Sequence, residues 1–156
     1  MLGQDQYEAL YNWLSRVNQT STFKFVVSSV PFTSLWQGDA QGDSWAGFAS
    51  EKAQILDVMQ TVPNVFVLSG DRHEFAAIEF PASAPHGYSV HEFSASPLNM
   101  FYIPYIHTLK LESDKLISRV KNATKLTDEG PVVETQEEFV PEERALKYIP
   151  SGNSKW

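Results

Sequence analysis

The run Ser69-Gly70-Asp71-Arg72-His73 sets a carboxylate and an imidazole two residues apart, directly after the apolar run Val65-Phe66-Val67-Leu68. In open α/β sheets ligands gather beyond the carboxyl ends of strands, where loops converge and backbone groups are free. Residues i and i+2 of an extended loop point the same way, so Asp71 and His73 can both turn toward one ion or ion pair. Gly70 lets the backbone approach closely. Ions held by such donors neutralise a phosphate ester and draw hydroxide from bound water near neutral pH. The bland alternative is a turn in which Asp71 caps the following segment and His73 is a partly buried histidine. Spacing alone does not separate the two.

Other chemistries lack their residues. The chain has no cysteine, so thiolate sites, disulfides and cysteine nucleophiles are excluded. Ser69 and Ser94 have no histidine–acid arrangement around them, and there is no glycine-rich phosphate loop. His86, in a Pro/Gly turn, and His107, in a segment without a clear pattern, read as residues with no chemical role.

The elements that must position Asp71 and His73 follow from periodicity. From Leu2 to Val17, Tyr7, Leu10, Tyr11, Leu14 and Val17 recur at helical spacing. Phe23 to Ser28 is a β-branched and aromatic run stopped by Val30-Pro31. Gly38 to Gly47 reads as a loop. Phe48 to Thr61 returns to helical spacing through Ile55, Val58 and Met59, and Asn64 to Leu68 is the next strand. The order helix, strand, loop, helix, strand, loop predicts an α/β fold with sheet layers flanked by helices. Phe75 to Phe80 and Tyr88 to Ser96 read as further strands. Beyond Pro104 the pattern weakens to partial alternation over 106–120, a polar stretch from Asn122 to Gly130 and an acidic one from Glu134 to Glu143.

With 156 residues, 42% hydrophobic and 20% charged, the chain suits one domain or part of one rather than a disordered segment. A net charge of -7 repels nucleic-acid backbones and anionic membranes, although a local metal site still attracts phosphate. No stretch approaches the roughly 18 apolar residues of a membrane span. Asn18-Gln19-Thr20 and Asn122-Ala123-Thr124 fit the glycosylation pattern and tilt localisation slightly toward a secretory compartment.

Four motifs in order resemble the PhoD-like (alkaline phosphatase D) family of phosphatases. They are Met1-Leu2-Gly3 with Gln6; Trp36 through Asp43-Ser44-Trp45-Ala46-Gly47-Phe48; Val67-Leu68-Ser69-Gly70-Asp71-Arg72-His73; and Glu92-Phe93-Ser94-Ala95-Ser96-Pro97-Leu98-Asn99. The closing stretch Tyr148-Ile149-Pro150-Ser151-Gly152-Asn153-Ser154-Lys155-Trp156 is similar as well. The resemblance implies a metallophosphoesterase core, a calcineurin-like sandwich of two sheets flanked by helices, of which residues 1–156 form the C-terminal part. It implies hydrolysis of phosphate mono- or diesters with divalent or trivalent metal ions, iron and calcium among them.

By that analogy Asp71 and His73 are metal ligands. Arg72, at the motif's variable position, reaches a phosphate oxygen or is a surface arginine. Asp43 and Trp45 lie near the pocket mouth or are a turn aspartate and a core-anchoring tryptophan. Glu92, on the strand before Ser94, supports a metal ligand by hydrogen bonding. The family's earlier half, with an Asp-x-His motif, a Gly-Asp-x-x-Asp motif and an asparagine ligand, is absent from these residues. The isolated chain is therefore expected to be inactive without that half as a partner. The competing expectation is a non-catalytic fragment or degenerate relative that acts through binding.

Overall fold

Helix α1 (Gln4–Val17) forms because its apolar residues return to one side of a 3.6-residue helix. Leu14 is fully buried there, with Tyr7, Leu10 and Trp13 packed against the core. The computed structural model describes residues 1–82, 87–95, 108–127 and 130–150. Helix α2 (Ala49–Met59) follows a 3-10 turn at Trp45–Phe48 and buries Lys52, Ile55, Leu56 and Met59, three and four residues apart. Glu51 in its first turn accepts a 2.8 Å hydrogen bond from the Leu2 amide, which ties the start of α1 to α2.

The strands are β1 (Lys24–Ser28), β2 (Val65–Ser69), β3 (Phe75–Phe80), β4 (Val90–Ser94), β5 (Leu116–Thr127), β6 (Gly130–Pro141) and β7 (Arg144–Ile149). Five of them form one sheet in the order β1-β2-β4-β3-β7. β1, β2 and β4 run parallel, while β3 is antiparallel to β4 and to β7. The two helix–strand units thus lie side by side, as their periodicity predicts. One register row, Ser28, Ser69, Ser94, Ala76 and Tyr148, closes the carboxyl edge of the parallel strands.

Period-two alternation divides the sheet into two unlike faces. Val26, Val67, Val90, Ile78 and Phe80 meet Leu14, Phe32, Leu35, Trp36, Ile55 and Met59 in one core. On the opposite face Phe25, Val27, Leu68 and Phe93 are exposed. Phe66 stacks there on Phe25 at 5.8 Å, His91 at 6.1 Å and Phe93 at 6.3 Å. Buried Lys24 ties this sheet to the turns beneath it by donating to the carbonyls of Asn18 and Pro63, 3.1 Å each.

The weakly patterned last third is more regular than its sequence suggests. β5 and β6 pair antiparallel over twelve residues each as a separate two-stranded sheet. Gly130, the first residue of β6, has φ 119°, a conformation open to glycine. Strand β7 then returns to the edge of the main sheet. No helix among the described residues is long and apolar enough to cross a membrane. His86, His107, Ser96 to Asn99 and Ser151 to Trp156 lie outside the described residues.

Candidate functional site

Beyond the carboxyl end of β2 the chain does not stay extended. Asp71 and His73 both take left-handed backbone conformations, φ 78° and 59°, and the Arg72 amide between them bonds back to the Gly70 carbonyl at 3.1 Å. Same-side presentation of residues i and i+2 in an extended loop therefore does not describe this segment. A left-handed conformation costs most residues roughly 1–2 kcal/mol, aspartate less, because its short polar side chain tolerates it. Both side chains are exposed, and among the described residues neither makes a hydrogen bond or ion pair. Gly70 has no positive φ, and a Cβ there would meet only the Ser29 carbonyl oxygen at an ordinary 3.6 Å.

The donor types suit a metal: a carboxylate oxygen and an imidazole nitrogen, accessible and unpaired, at a sheet edge. They are only part of a coordination shell. Among the described residues no three His, Asp or Glu side chains are grouped to hold an ion.

Arg72 behaves differently from its neighbours. It is half-buried, and its guanidinium lies over the Trp36 ring, 5.6 Å from the centroid. Among the described residues its Nε is buried without a hydrogen-bond partner, as are Trp36 Nε1 and Ser94 Oγ. Next to it Glu74 is buried and accepts hydrogen bonds from Thr108 Oγ1 at 2.6 Å and the Tyr148 hydroxyl at 3.1 Å. Partial burial and then the Glu74 carboxylate push the Tyr148 hydroxyl above the usual phenol range.

Glu92 is fully buried beneath this edge. Its Oε1 accepts from the Phe32 amide at 2.8 Å and from Ser69 Oγ at 2.6 Å, and its Oε2 accepts from the Thr33 amide at 2.7 Å. Burial pushes its carboxyl above the usual carboxylate range, against the lowering effect of these bonds. The bonds reach Ser69, two residues before Asp71, rather than Asp71 or His73. A second buried acid, Glu143, holds the next stretch of the same segment. It accepts from Thr33 Oγ1 at 2.5 Å and the Ser34 amide at 2.7 Å, and it pairs with buried Lys52. Lys52 in turn sits over the Phe32 and Phe80 rings.

Asp43 and Trp45 separate. Asp43 is exposed, whereas Trp45 is buried against Phe32, and its indole N–H donates to Ser28 Oγ at 3.1 Å. A cavity of about 460 Å³ beside Trp45 runs between α1 and the free edge of β1, away from Asp71 and His73. Sequence reasoning gave no role to Glu74 or Tyr148 and quoted Trp36 only as part of a motif. A tryptophan and an aromatic–acid pair far apart in the chain carry no spacing signal.

A family model described as PhoD-like phosphatase matches residues 1–139. No curated protein matches the chain. A solved structure titled "Structure of PhoD" is similar over 97% of this chain at 14% identity and a TM-score of 0.48. The chain spans 36% of that solved chain's length.

Proposed function

Because this chain belongs to the PhoD-like phosphatase family, we propose that it contributes one part of a metal-dependent phosphoesterase site, with Asp71 and His73 as its metal ligands. The observation that carries this reading is the loop after β2. Two accessible, unpaired donors occupy the carboxyl edge of parallel strands on a backbone held in a costly conformation, and such conformations persist where surrounding structure and function sustain them.

The reaction is hydrolysis of a phosphate mono- or diester. Water attacks phosphorus, the bond to the ester oxygen breaks and the alcohol departs with a proton. A divalent or trivalent ion bound by Asp71 and His73, iron or calcium by family analogy, would supply charge neutralisation and an acidic bound water. Arg72 presents its guanidinium to the phosphate from the same loop. Glu92 fixes the root of that loop through Ser69. By family analogy Asp43 belongs at the mouth of the site, and buried Trp45 anchors its loop from within the core.

The remaining ligands come from the earlier half of the domain, which packs on the exposed Phe25–Phe66–Phe93 face as the second sheet of a sandwich. An uncovered aromatic face of this kind is what such packing would bury. On this reading the isolated chain is inactive.

The test uses the full-length protein that carries this chain. Asp71→Asn keeps the shape and removes a charge, and His73→Ala opens the shell. Each should lower metal content and turnover of a simple phosphate ester together, by about tenfold or more. Native metal content with a native rate in the Asp71→Asn protein would overturn the assignment. A second reading, a non-catalytic binding protein, is favoured by the two-donor count. An upstream sequence without Asp-x-His and Gly-Asp-x-x-Asp would support it.

A further inference from the structure

We propose that Trp36 is a positioning residue that holds the Arg72 guanidinium at the carboxyl edge of the sheet, ready to grip a phosphate through its two terminal nitrogens. This rests on the phosphoesterase reading above and adds to it the residue that aims the anion contact.

A surface arginine leaves its Nε in water, but here Nε is packed away from it, and the terminal nitrogens are not among the buried atoms. Among the described residues no carboxylate forms an ion pair with Arg72, so its charge is left without a counterion. A ligand anion at the terminal nitrogens would supply one. Phosphate suits them because the parallel N–H groups at the end of the planar guanidinium match two of its oxygens.

A flexible arginine loses rotamer freedom when it binds, and a partner that fixes its plane beforehand lowers that cost. Trp36 can do so. It is 1% exposed, joined to Leu109 by a β-bridge, and set edge-on to Tyr148 at 6.2 Å. The Gln37 amide donates to the Thr108 carbonyl at 2.7 Å and the Lys110 amide to the Leu35 carbonyl at 2.9 Å, so the backbone on both sides of Trp36 is fastened. The Arg72 guanidinium rests on this immobile ring at 5.6 Å. The Arg72 backbone is fastened too, by its bond to Gly70 between two left-handed residues. Both ends of the side chain are therefore constrained while the terminal nitrogens keep their bonding capacity.

The experiment uses the full-length protein and inorganic phosphate as the probe. It reads phosphate affinity by calorimetry and by competitive inhibition, with metal content and melting temperature measured for each variant. Arg72→Ala should weaken phosphate binding about tenfold or more with metal content unchanged. Trp36→Leu should weaken it several-fold, Trp36→Phe should restore it to within about twofold, and Trp36→Leu added to Arg72→Ala should change nothing further. An equal Trp36→Leu effect with and without Arg72, or native phosphate affinity in Arg72→Ala, overturns the proposal. Where Trp36→Leu does not fold, Arg72→Lys decides. Lysine keeps the charge without the planar fork, so loss comparable to alanine supports the proposal and native affinity overturns it. Failure of the metal reading is read separately, as native metal content in Asp71→Asn.

Discussion

Ser69 Oγ donates a 2.6 Å hydrogen bond to the buried carboxylate of Glu92, linking the last residue of β2 to the centre of β4 two residues before the loop that carries Asp71. The same carboxylate holds the Phe32 and Thr33 amides, so three chain segments meet on one side chain. Glu92→Gln replaces one acceptor with a donor facing an amide. It should cost about 2–3 kcal/mol in urea unfolding, since bonds to charged or buried groups are expensive to break.

The pH dependence of that difference is also defined. The folded carboxyl of Glu92 lies above its unfolded value, so the native state binds the proton more tightly. Its titration contribution to stability is full below about pH 4.5 and is lost as pH rises through the folded value. Stability of the native protein relative to Glu92→Gln should therefore decline from pH 4.5 upward. A difference that grows over that range would show that the carboxylate is favoured by folding.

Asp71→Gly separates strain from function. Glycine adopts φ near 78° freely, so the variant should lose little stability or gain up to about 1 kcal/mol. Its metal content should nevertheless fall as far as that of Asp71→Asn. A melting temperature several degrees below native would show that the Asp71 side chain holds the fold rather than a ligand.

Lys52→Met removes the cation from a buried pair whose carboxylate remains, and should destabilise by about 3–5 kcal/mol. Glu143→Gln with Lys52→Met should recover part of that loss, because the stranded charge is gone. Denaturant titrations of the single and double variants give the comparison.

The isolated 156-residue chain should bind a hydrophobic dye and self-associate through its open sheet face. Phe25→Ser with Val27→Thr should reduce both with little change in melting temperature, since these side chains are 55% and 77% exposed. A monodisperse chain without dye binding would show that this face is covered by other means.

The parallel pair β1 and β2 was legible because each strand is a short apolar run placed after a helix with a clear apolar side. The donors Asp71 and His73 were legible as residue types at a strand end. Their left-handed conformations were not, because the one glycine beside them, Gly70, does not carry the positive φ, and the two residues that do are not glycines. Glu143 sits in an acidic stretch, yet it is 3% exposed; its cation lies 91 residues away in α2, a separation that no local spacing marks. The hairpin β5–β6 escaped notice for the opposite reason. Most of its residues face solvent, so no buried side imposes alternation on the sequence.

That hairpin behaves as a zipper with one anchored end. At its base the Glu142 amide bonds to the Lys115 carbonyl and the Ser113 amide to the Glu143 carbonyl, beside the buried Lys52 pair. At its tip Thr127 pairs with Gly130 and its Oγ1 donates to the Gly130 carbonyl at 2.8 Å, with no bond to the main sheet among the described residues. Each strand has a single neighbour, so opening one ladder bond uncovers the next without breaking the main sheet. Amide hydrogen exchange should therefore show a gradient, fastest at Thr127 and Gly130 and slowest near Leu116 and Val140, with the strands of the five-stranded sheet exchanging later still.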